Sequence, residues 1–499
     1  MSSIATAPGR DDSAMSAALS AVPSGYLAGS WREPASGRTF TVTDPATGAA
    51  LAQVADCGID DGLAALDAAV AAGPSWARSA PRRRADVLRR AFELMRERRE
   101  VLATLITLEV GKTLTEARGE VDYAADFVRW FAEEAVRPGG RSTPAPDGQS
   151  HFITVTEPVG PCLLITPWNV PLAMVARKVS PAIAAGCTVV VKPADLTPLV
   201  TLAFAAIVRE AGAPAGVVNV FTTTDAAGVC SRLIEDPRLR KLSFTGSTPV
   251  GRLLLEQAGR RVLRTSMELG GNAPFLVFDD ADLDVTIDQA MIAKMRLGGQ
   301  SCVAANRFLV QDGIADDFAR RIGERMAAVR VGPGLDDGVD LGPLIDDRAV
   351  AKATRLVDDA VARGAVVIDQ APMPDDPQGT YFAPIVLDHV PLDAAIMSEE
   401  VFGPVVSIHR FTDEDAAVRI ANDTEHGLAA YVMTQDVDRA RRVAGSLESG
   451  MVGINRGLIS NVAAPFGGIK QSGLGREGGP EGLLEYQELK YLSVPGLYA

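Results

Sequence analysis

The amino-acid sequence predicts an α/β protein built around a doubly wound parallel sheet. Short apolar runs, such as CLLIT at 162–166 and TVVVK at 188–192, alternate with amphipathic segments of helical period. Buried parallel strands form continuous apolar runs because helices cover both faces of the sheet. The chain has 499 residues, of which 47% are hydrophobic and 22% charged, and this size fits two or three domains.

The order of the elements follows from changes in the hydrophobic period. Residues 81–136 place apolar side chains at helical spacing and are predicted to be helical. Strands and helices then alternate, with strands predicted at 162–166, 188–192, 217–221 and 241–244, and helices at 171–186 and near 198–211. A second α/β segment begins near Glu268 and runs to about residue 470 through the strands FLVF, NRFLV, VVSIHRF and LAAYVMT. Residues 1–20 are small and polar and are predicted to form a disordered tail.

Composition argues against several classes of function. The formal charge is 49 minus 63, or −14, which disfavours nucleic acids and anionic membranes as partners. The sequence has no run of about 18 apolar residues that could span a bilayer, and its start has no secretory or transit signature. The five cysteines form no CxxC pair and the four histidines are scattered, so we expect no disulfide framework, no metal site and a cytoplasmic location.

Two motifs resemble nucleotide-binding loops but are set aside. VGKT at 110–113 lacks the glycine that a P-loop needs at position 106, which is Ile106. Its Lys112 is predicted to be a helix-surface lysine. GLGREG at 473–478 fits GxGxxG by its letters, but it follows no clear βαβ strand, so we predict a glycine-rich turn there.

Better-placed motifs predict a dinucleotide site at the ends of strands. In LSFTGSTPVGRLL a strand runs into Gly246 and Ser247, and a helix begins near Pro249. Free N–H groups at a helix start bind phosphate, although such turns are also common as plain connections. Lys192 and Asp195 follow strand 188–192, at the edge where ligands bind in open α/β sheets. Their alternatives are a surface lysine and a helix-capping aspartate.

Three further residues could carry chemistry. Asn169 in TPWNVP offers a rigid amide donor for an oxyanion. Glu268 in SMELGGNAPF ends a predicted strand, and taken alone it is best explained as a solvated carboxylate. Cys302 in RLGGQSCVAANR follows two glycines, and a free cysteine is most often a small core residue. Together, however, the three supply a donor, a base and a nucleophile in chain order.

These motifs resemble those of the NAD(P)-dependent aldehyde dehydrogenase superfamily from about residue 25 to residue 495. PWNVP, KPADLTP, FTGSTPVG, MELGGNAP, GGQSCVAANR, EEVFGPV and PFGGIKQSGLGREGG occur in the family order. The resemblance implies the aldehyde dehydrogenase fold, with a Rossmann-like cofactor domain at 21–140 and 158–267 and a catalytic domain at 268–470. It also implies a small β oligomerisation element at 141–157 and 471–499, a homodimer or homotetramer, and NAD or NADP as cofactor.

The resemblance also implies roles for individual residues. Cys302 would be the nucleophile, Asn169 would hold the oxyanion together with the Cys302 N–H, and Glu268 would activate the water that hydrolyses the thioester to a free acid. Eight residues would contact the cofactor: Trp168, Lys192, Asp195, Gly246, Ser247, Leu269, Glu400 and Phe402. The acid at Asp195 should repel a ribose 2′-phosphate, which predicts NAD over NADP.

Two arginines predict a carboxylated substrate. Arg177 lies eight residues after Asn169, and Arg296 lies six residues before Cys302. A buried unpaired cation is costly, and a carboxylate on the substrate would satisfy the guanidinium fork. The spacing resembles that of succinate-semialdehyde dehydrogenases, which implies Ser460 as a third contact and succinic semialdehyde as the substrate. The alternative is that the arginines pair with carboxylates of the protein.

Other functions remain open from the sequence alone. The substrate could be another aliphatic or aromatic aldehyde. A cofactor-independent cysteine hydrolase or acyltransferase would need a histidine near Cys302, and no histidine motif supports one. A third alternative is a binding protein that has lost catalysis. Ala304 stands where many relatives of this kind carry a second cysteine, so we expect no disulfide switch beside Cys302.

Overall fold

Two large sheets organise the chain in the computed structural model, which describes residues 12–137, 139–374 and 378–495. Helices α1 to α16 are, in chain order, Asp12–Ser20, Ile59–Ala77, Pro81–Glu97, Arg99–Val110, Leu114–Glu134, Pro171–Ala185, Leu199–Glu210, Ala226–Glu235, Thr248–Gly259, Leu283–Met295, Asp312–Ala327, Asp347–Ala362, Ala395–Ser398, Glu414–Asn422, Val437–Ser446 and Glu481–Leu484. A 3₁₀ turn at Arg296–Gly299 follows α10.

Strands β1 to β22 are, in chain order, Tyr26–Ala28, Ser30–Arg32, Thr39–Thr43, Ala50–Ala55, Gly140–Pro144, Ser150–Pro158, Pro161–Ile165, Thr188–Lys192, Val218–Val220, Lys241–Thr245, Arg264–Glu268, Ala273–Val277, Ala305–Gln311, Val366–Gln370, Ile385–Asp388, Val405–Phe411, His426–Gly427, Ala429–Met433, Met451–Ile454, Ile469–Lys470, Gly473–Leu474 and Gln487–Pro495. The strands and helices predicted from the sequence between residues 81 and 434 are therefore confirmed, with ends that differ by a few residues.

The first sheet has eight strands in the order β2-β1-β9-β8-β7-β10-β11-β21. The five strands from β9 to β11 in this order are parallel, and the short strands at both edges are antiparallel. Every residue of β8 is buried, because α2 and α6 both pack against it. This arrangement confirms the doubly wound parallel sheet.

The second sheet has seven strands in the order β14-β15-β16-β13-β12-β18-β19. All of its neighbours are parallel except β14, which pairs antiparallel with β15 at one edge. Parallel strands end at a common edge of their sheet, where ligands bind in open α/β folds. Cys302 lies just before β13, at the center of this sheet.

The predicted helical stretch 81–136 divides into three helices at local signals. Pro81 occupies the first turn of α3, which suits its fixed φ. Gly111 ends α4 in a left-handed conformation with φ 88°. Thr113 then caps α5 by accepting the backbone N–H of Glu116.

A separate antiparallel sheet in the order β22-β6-β5 falls in the segments predicted to form the oligomerisation element, except that Gly140 and Pro158 lie one residue outside 141–157. The same C-terminal segment also contributes to the first large sheet, because β21 pairs with β11.

The prediction of a disordered tail at 1–20 is wrong for the residues that the structure describes. Asp12–Ser20 form α1, in which Ala18 is fully buried and which packs on α4. Small residues gave no helical signal in the sequence because α1 buries few apolar side chains. Residues 1–11 lie outside the described residues.

Candidate active site

Cys302 lies in a tightly folded loop between α10 and β13. The last three residues of the turn Arg296–Gly299 have φ of 57°, 61° and 74°. Glycine is required at Gly299, where a Cβ would lie 2.3 Å from the Gly403 carbonyl oxygen. The Cys302 side chain is partly buried. Burial, followed by the charge of Glu400, raises the pKa of this thiol to about 12.

Asn169 approaches this loop from the first sheet. It lies between β7 and α6, and Pro171 occupies the first turn of that helix. The Asn169 side chain is buried, and its Nδ2 donates a hydrogen bond to the Gln300 carbonyl oxygen at 2.8 Å. A side-chain amide carries two hydrogens, so a second one can serve an oxyanion at Cys302.

Lys112 supports Asn169, and the prediction of a helix-surface lysine is wrong. Lys112 is buried, and its Nζ donates to Glu120 Oε2 at 2.6 Å and to the Asn169 carbonyl oxygen at 2.7 Å. Glu120 Oε1 accepts the N–H groups of Leu172 and Ala173 at the start of α6. This network fixes the Asn169 backbone between α5 and α6.

Glu268 is the last residue of β11 and is buried, so it is not a solvated carboxylate. Its backbone pairs with Gly473, where a Cβ would lie 2.0 Å from the Met267 carbonyl oxygen. Burial, followed by the neighbouring Glu477 carboxylate, raises the pKa of Glu268 well above its ordinary value, and Arg177 opposes this shift. A raised pKa makes the Glu268 carboxylate a stronger base toward water.

A buried charge cluster adjoins Glu268, and two of its members were missed in the sequence. Glu477 Oε1 accepts a hydrogen bond from Lys178 Nζ at 2.6 Å, and Glu477 Oε2 lies 2.9 Å from Arg177 Nε. The Arg177 guanidinium also lies 3.9 Å from the Phe466 ring centroid. Glu477 belongs to GLGREG, which is confirmed as a glycine-rich turn by four glycines of positive φ at 473–479. Two features of the sequence could have pointed to these residues: Glu477 is an acid within the glycine-rich turn, and Lys178 is a second cation directly after Arg177.

One cavity of about 540 Å³ brings the candidate residues together. It is lined by the predicted catalytic and substrate residues Asn169, Glu268, Cys302, Arg177, Arg296 and Ser460. It is also lined by six of the eight predicted cofactor contacts, namely Trp168, Gly246, Ser247, Leu269, Glu400 and Phe402. None of the four histidines, all within the described residues, is among the residues that line it.

The other two predicted cofactor contacts, Lys192 and Asp195, lie outside the lining of this cavity. They follow β8 as the sequence predicted. Lys192 is buried, which lowers its pKa, so the alternative of a surface lysine is wrong. Asp195 is exposed, and the N-cap of α7 is Pro198, so the alternative of a helix-capping aspartate is wrong as well.

The cofactor side of the cavity has groups that fit a dinucleotide. Ser247 is the N-cap of α9 and makes no side-chain capping hydrogen bond within the described chain, so the first N–H groups of the helix can receive an anion. Trp168 and Phe402 form an edge-to-face ring pair with centroids 5.4 Å apart. Glu400 Oε1 accepts the Gly271 N–H at 3.1 Å, and burial raises the pKa of Glu400 to about 7. The start of α9 suits a phosphate, the Trp168–Phe402 pair suits the nicotinamide ring, and the Glu400 carboxylate suits a ribose.

The two arginines differ in burial. Arg177 is 2% exposed, as expected for a buried cation. Arg296 is exposed, so the expectation that it is also buried is wrong. Arg296 begins the turn after α10 and borders both the cavity and an adjoining surface groove. Ser460 is partly buried and lines the cavity with both arginines.

Neither a metal site nor a membrane-spanning helix occurs among the described residues. No group of three or more histidine, cysteine, aspartate or glutamate side chains is arranged to hold a metal ion there. Within the same residues, every helix is too short or too polar to cross a membrane. All five cysteines are free thiols.

Comparison with known proteins agrees with this geometry. The aldehyde dehydrogenase family model matches residues 31–492. A succinate-semialdehyde dehydrogenase from Paenarthrobacter nicotinovorans is 54% identical over 448 residues, covering 90% of this chain and 99% of that protein. The NADP(+) succinate-semialdehyde dehydrogenase GabD of Escherichia coli is 48% identical over 466 residues, covering 93% of this chain and 96% of that protein. The crystal structure of betaine aldehyde dehydrogenase from Staphylococcus aureus in complex with NAD+ aligns with a TM-score of 0.93 at 34% identity, covering 97% of both chains.

A doubly wound sheet and a second α/β sheet share one cavity that contains a cysteine and groups suited to a dinucleotide, and with these relatives they indicate a nicotinamide-dependent oxidoreductase. The chain belongs to the aldehyde dehydrogenase family. The predicted fold class and NAD(P)-dependent aldehyde oxidation are thereby confirmed.

Proposed function

We propose that this protein oxidises succinic semialdehyde to succinate. The observation that carries the proposal is that Arg177, Arg296 and Ser460 line the same cavity as Cys302. Cations at one part of the cavity can hold the carboxylate of a substrate while its aldehyde group lies at the thiol. The similarity to two succinate-semialdehyde dehydrogenases supports the same substrate.

In the proposed mechanism, the Cys302 thiol passes its proton to the Glu268 carboxylate in the same cavity, and the resulting thiolate attacks the aldehyde carbon and forms a thiohemiacetal. The Asn169 amide and the Cys302 N–H stabilise the oxyanion. NAD(P), when bound, supplies the hydride acceptor. Loss of a hydride from its carbon turns the thiohemiacetal into a thioester on Cys302. Glu268, after releasing the thiol proton to solvent, then takes a proton from the water that hydrolyses the thioester. The cofactor would be held by the residues at the start of α9 and by Trp168, Lys192, Asp195, Leu269, Glu400 and Phe402.

Arg177 keeps part of its hydrogen-bonding capacity for a substrate. Arg177 forms an ion pair with Glu477, as expected if the arginine pairs with a carboxylate of the protein itself. However, its Nη2 has no hydrogen-bond partner among the described residues. A buried guanidinium N–H without a partner is costly, and a substrate carboxylate would satisfy it. Arg296 forms none of the salt bridges of the described chain, although the Glu116 carboxylate lies near enough for their charges to interact.

We further propose that the cofactor is NAD rather than NADP. The support is Asp195, which is exposed beyond β8 and would repel a 2′-phosphate. The relative from Escherichia coli is an NADP(+) enzyme, so similarity to it does not decide between the two cofactors for this protein. Catalytic efficiency with the two cofactors tests it, and a strong preference for NADP would defeat it.

The experiment that tests the substrate is cofactor reduction with succinic semialdehyde and with butanal, which has the same chain length and no charge. We expect kcat/KM to favour succinic semialdehyde strongly. Arg296→Met should raise KM for succinic semialdehyde about tenfold or more, the loss expected for a charge-assisted contact, and leave butanal unchanged. Arg320→Met, on the exposed face of α11, is the matched control. Equal or better turnover of butanal would refute the proposal but not the oxidation of aldehydes. A strict absence of cofactor dependence would point to the hydrolase alternative.

We also propose that the protein is a cytoplasmic homo-oligomer. The β22-β6-β5 sheet exposes Leu489 and Tyr491 on its edge strand, at 67% and 56%. Exposed apolar residues of this size suit contact with a second copy. Light scattering of the purified protein tests this, and a monomer at micromolar concentration would contradict it.

A further inference from the structure

The turn before Cys302 is held by a residue that the sequence did not single out. Leu297 has φ 57° and ψ 28°, a left-handed conformation that is rare and strained for a bulky residue. Its N–H donates to Glu116 Oε1 at 2.6 Å. Glu116 belongs to the first turn of α5 and lines the cavity together with Leu297 and Arg296.

Glu116 is the third residue of α5, a position where a glutamate side chain usually bonds to the N-terminus of its own helix. The sequence TLTE at 113–116 has the pattern of a capping box, in which the glutamate side chain returns to the start of its own helix. One Glu116 oxygen stays near this start, with Oε2 3.5 Å from the Thr113 hydroxyl oxygen Oγ1. Its other oxygen reaches Leu297, which belongs to the catalytic half of the chain. The carboxylate therefore joins α5 to the nucleophile loop.

Two hydrogen bonds of Gln300 hold the loop on its far side. The Gln300 carbonyl oxygen accepts from Asn169, and Gln300 Oε1 accepts the Ile345 N–H at 3.0 Å. These bonds fix the loop after the left-handed turn. The bond between Leu297 and Glu116 fixes it before the turn, so that the turn is clamped from both ends.

We propose that Glu116 is a positioning residue that, by accepting the Leu297 N–H, holds the left-handed turn and thereby sets the placement of the Cys302 thiol and of Arg296. Glu116 acts through the backbone and touches no reacting atom. Because the nucleophile attacks every aldehyde, the effect does not depend on which aldehyde is the natural substrate. A misplaced nucleophile lowers kcat even when the substrate still binds.

Three variants separate the acceptor from the charge. Glu116→Gln keeps an oxygen that accepts the Leu297 N–H, whereas Glu116→Asp keeps the charge but is one methylene shorter, and Glu116→Ala removes both. We expect kcat with butanal to fall about tenfold to a hundredfold in Glu116→Ala and Glu116→Asp, and to stay within about threefold of wild type in Glu116→Gln. The rate of Cys302 alkylation by iodoacetamide should follow kcat, and the thermal unfolding midpoint reports folding.

A rescue experiment tests the reason for the loss. Glycine adopts positive φ without strain, so Leu297→Gly makes the turn less dependent on the hydrogen bond. The double variant Glu116→Ala, Leu297→Gly should therefore recover most of the kcat that Glu116→Ala loses. A kcat within about twofold of wild type in Glu116→Asp and Glu116→Ala would overturn the proposal, given the size of the expected loss. It would also be overturned by equal losses in Glu116→Gln and Glu116→Ala, or by a double variant no faster than Glu116→Ala.

Discussion

Replacing Lys112 by methionine should destabilise the protein through the charge that it leaves behind. The side chains of Lys112 and Glu120 are each 2% exposed, so water cannot solvate the remaining carboxylate. Removing one partner of a buried ion pair costs about 3–5 kcal/mol. Glu120 keeps two backbone donors, at Leu172 and Ala173, which places the expected loss of unfolding free energy near the lower end, about 3 kcal/mol.

Thermal unfolding of wild type, Lys112→Met, Glu120→Gln and the double variant measures this loss. Unfolding entropy is about 2 cal/mol/K per residue, so the whole chain corresponds to about 1 kcal/mol/K and the Tm should fall by about 3 °C. The fall is larger if the cofactor domain unfolds separately. The double variant buries no unpaired charge and should recover part of the loss. Arg320→Met, which breaks an exposed ion pair, is the control and should change the Tm by less than about 1 °C.

Two results would refute this reasoning. An unchanged Tm in Lys112→Met would show that the pair contributes nothing to stability. Losses that simply add in the double variant would show that the two side chains do not interact. The Asn169 carbonyl oxygen also loses its donor, so Lys112→Met should lower kcat as well.

Four further predictions concern two acids and the Cys302 thiol. Burial raises the pKa of Glu109 to about 8, above its value of about 4.5 in the unfolded chain. Ionisation of Glu109 therefore destabilises the fold as pH rises from about 4.5 to about 8. The Tm of Glu109→Gln relative to that of wild type should accordingly be higher at pH 9 than at pH 5. Glu268→Gln should accumulate the thioester, seen as a burst of reduced cofactor followed by slow turnover. Burial raises the pKa of Cys302 to about 12, so the rate of its alkylation in cofactor-free protein should increase steadily between pH 7 and pH 10. Cys302→Ala should abolish aldehyde oxidation and keep NAD binding.

Each of these predictions has a contrary outcome. The same Tm difference at both pH values would show that Glu109 ionises normally in the folded protein. Undiminished steady-state turnover in Glu268→Gln would remove Glu268 from the hydrolysis step. An alkylation rate that is already flat at pH 7 would show a thiolate at Cys302, and retained turnover in Cys302→Ala would exclude it as the nucleophile.

The fold could be predicted because its strands are buried on both sides. TVVVK gives a continuous apolar run, and every residue of the corresponding strand β8 is buried. The edge strands were not predicted, since β21 has two residues and owes its place to pairing with β11. Helix α1 was missed for a similar reason, because it buries Ala18 rather than a stripe of large side chains.

The residues of the site also fall into those that the sequence predicted and those that it did not. Residues within distinctive motifs, such as Asn169 and Cys302, could be found from the sequence. The groups that orient them could not, because their partners are distant in the chain: Lys178 pairs with Glu477, 299 residues away, and Glu116 with Leu297, 181 residues away. A single sequence carries no signal for such pairing.

The double role of the C-terminal segment has a consequence for protein engineering. Gly473 in β21 borders the backbone of Glu268, and Glu477 holds two cations beside it. Ten residues after Glu477, the same segment begins the outer strand β22. Exchanging residues 471–495 between homologues to alter their assembly would therefore also transplant part of the hydrolytic machinery. Chimeras joined after Glu477 would keep Gly473 and Glu477 with their own host and exchange α16 and β22.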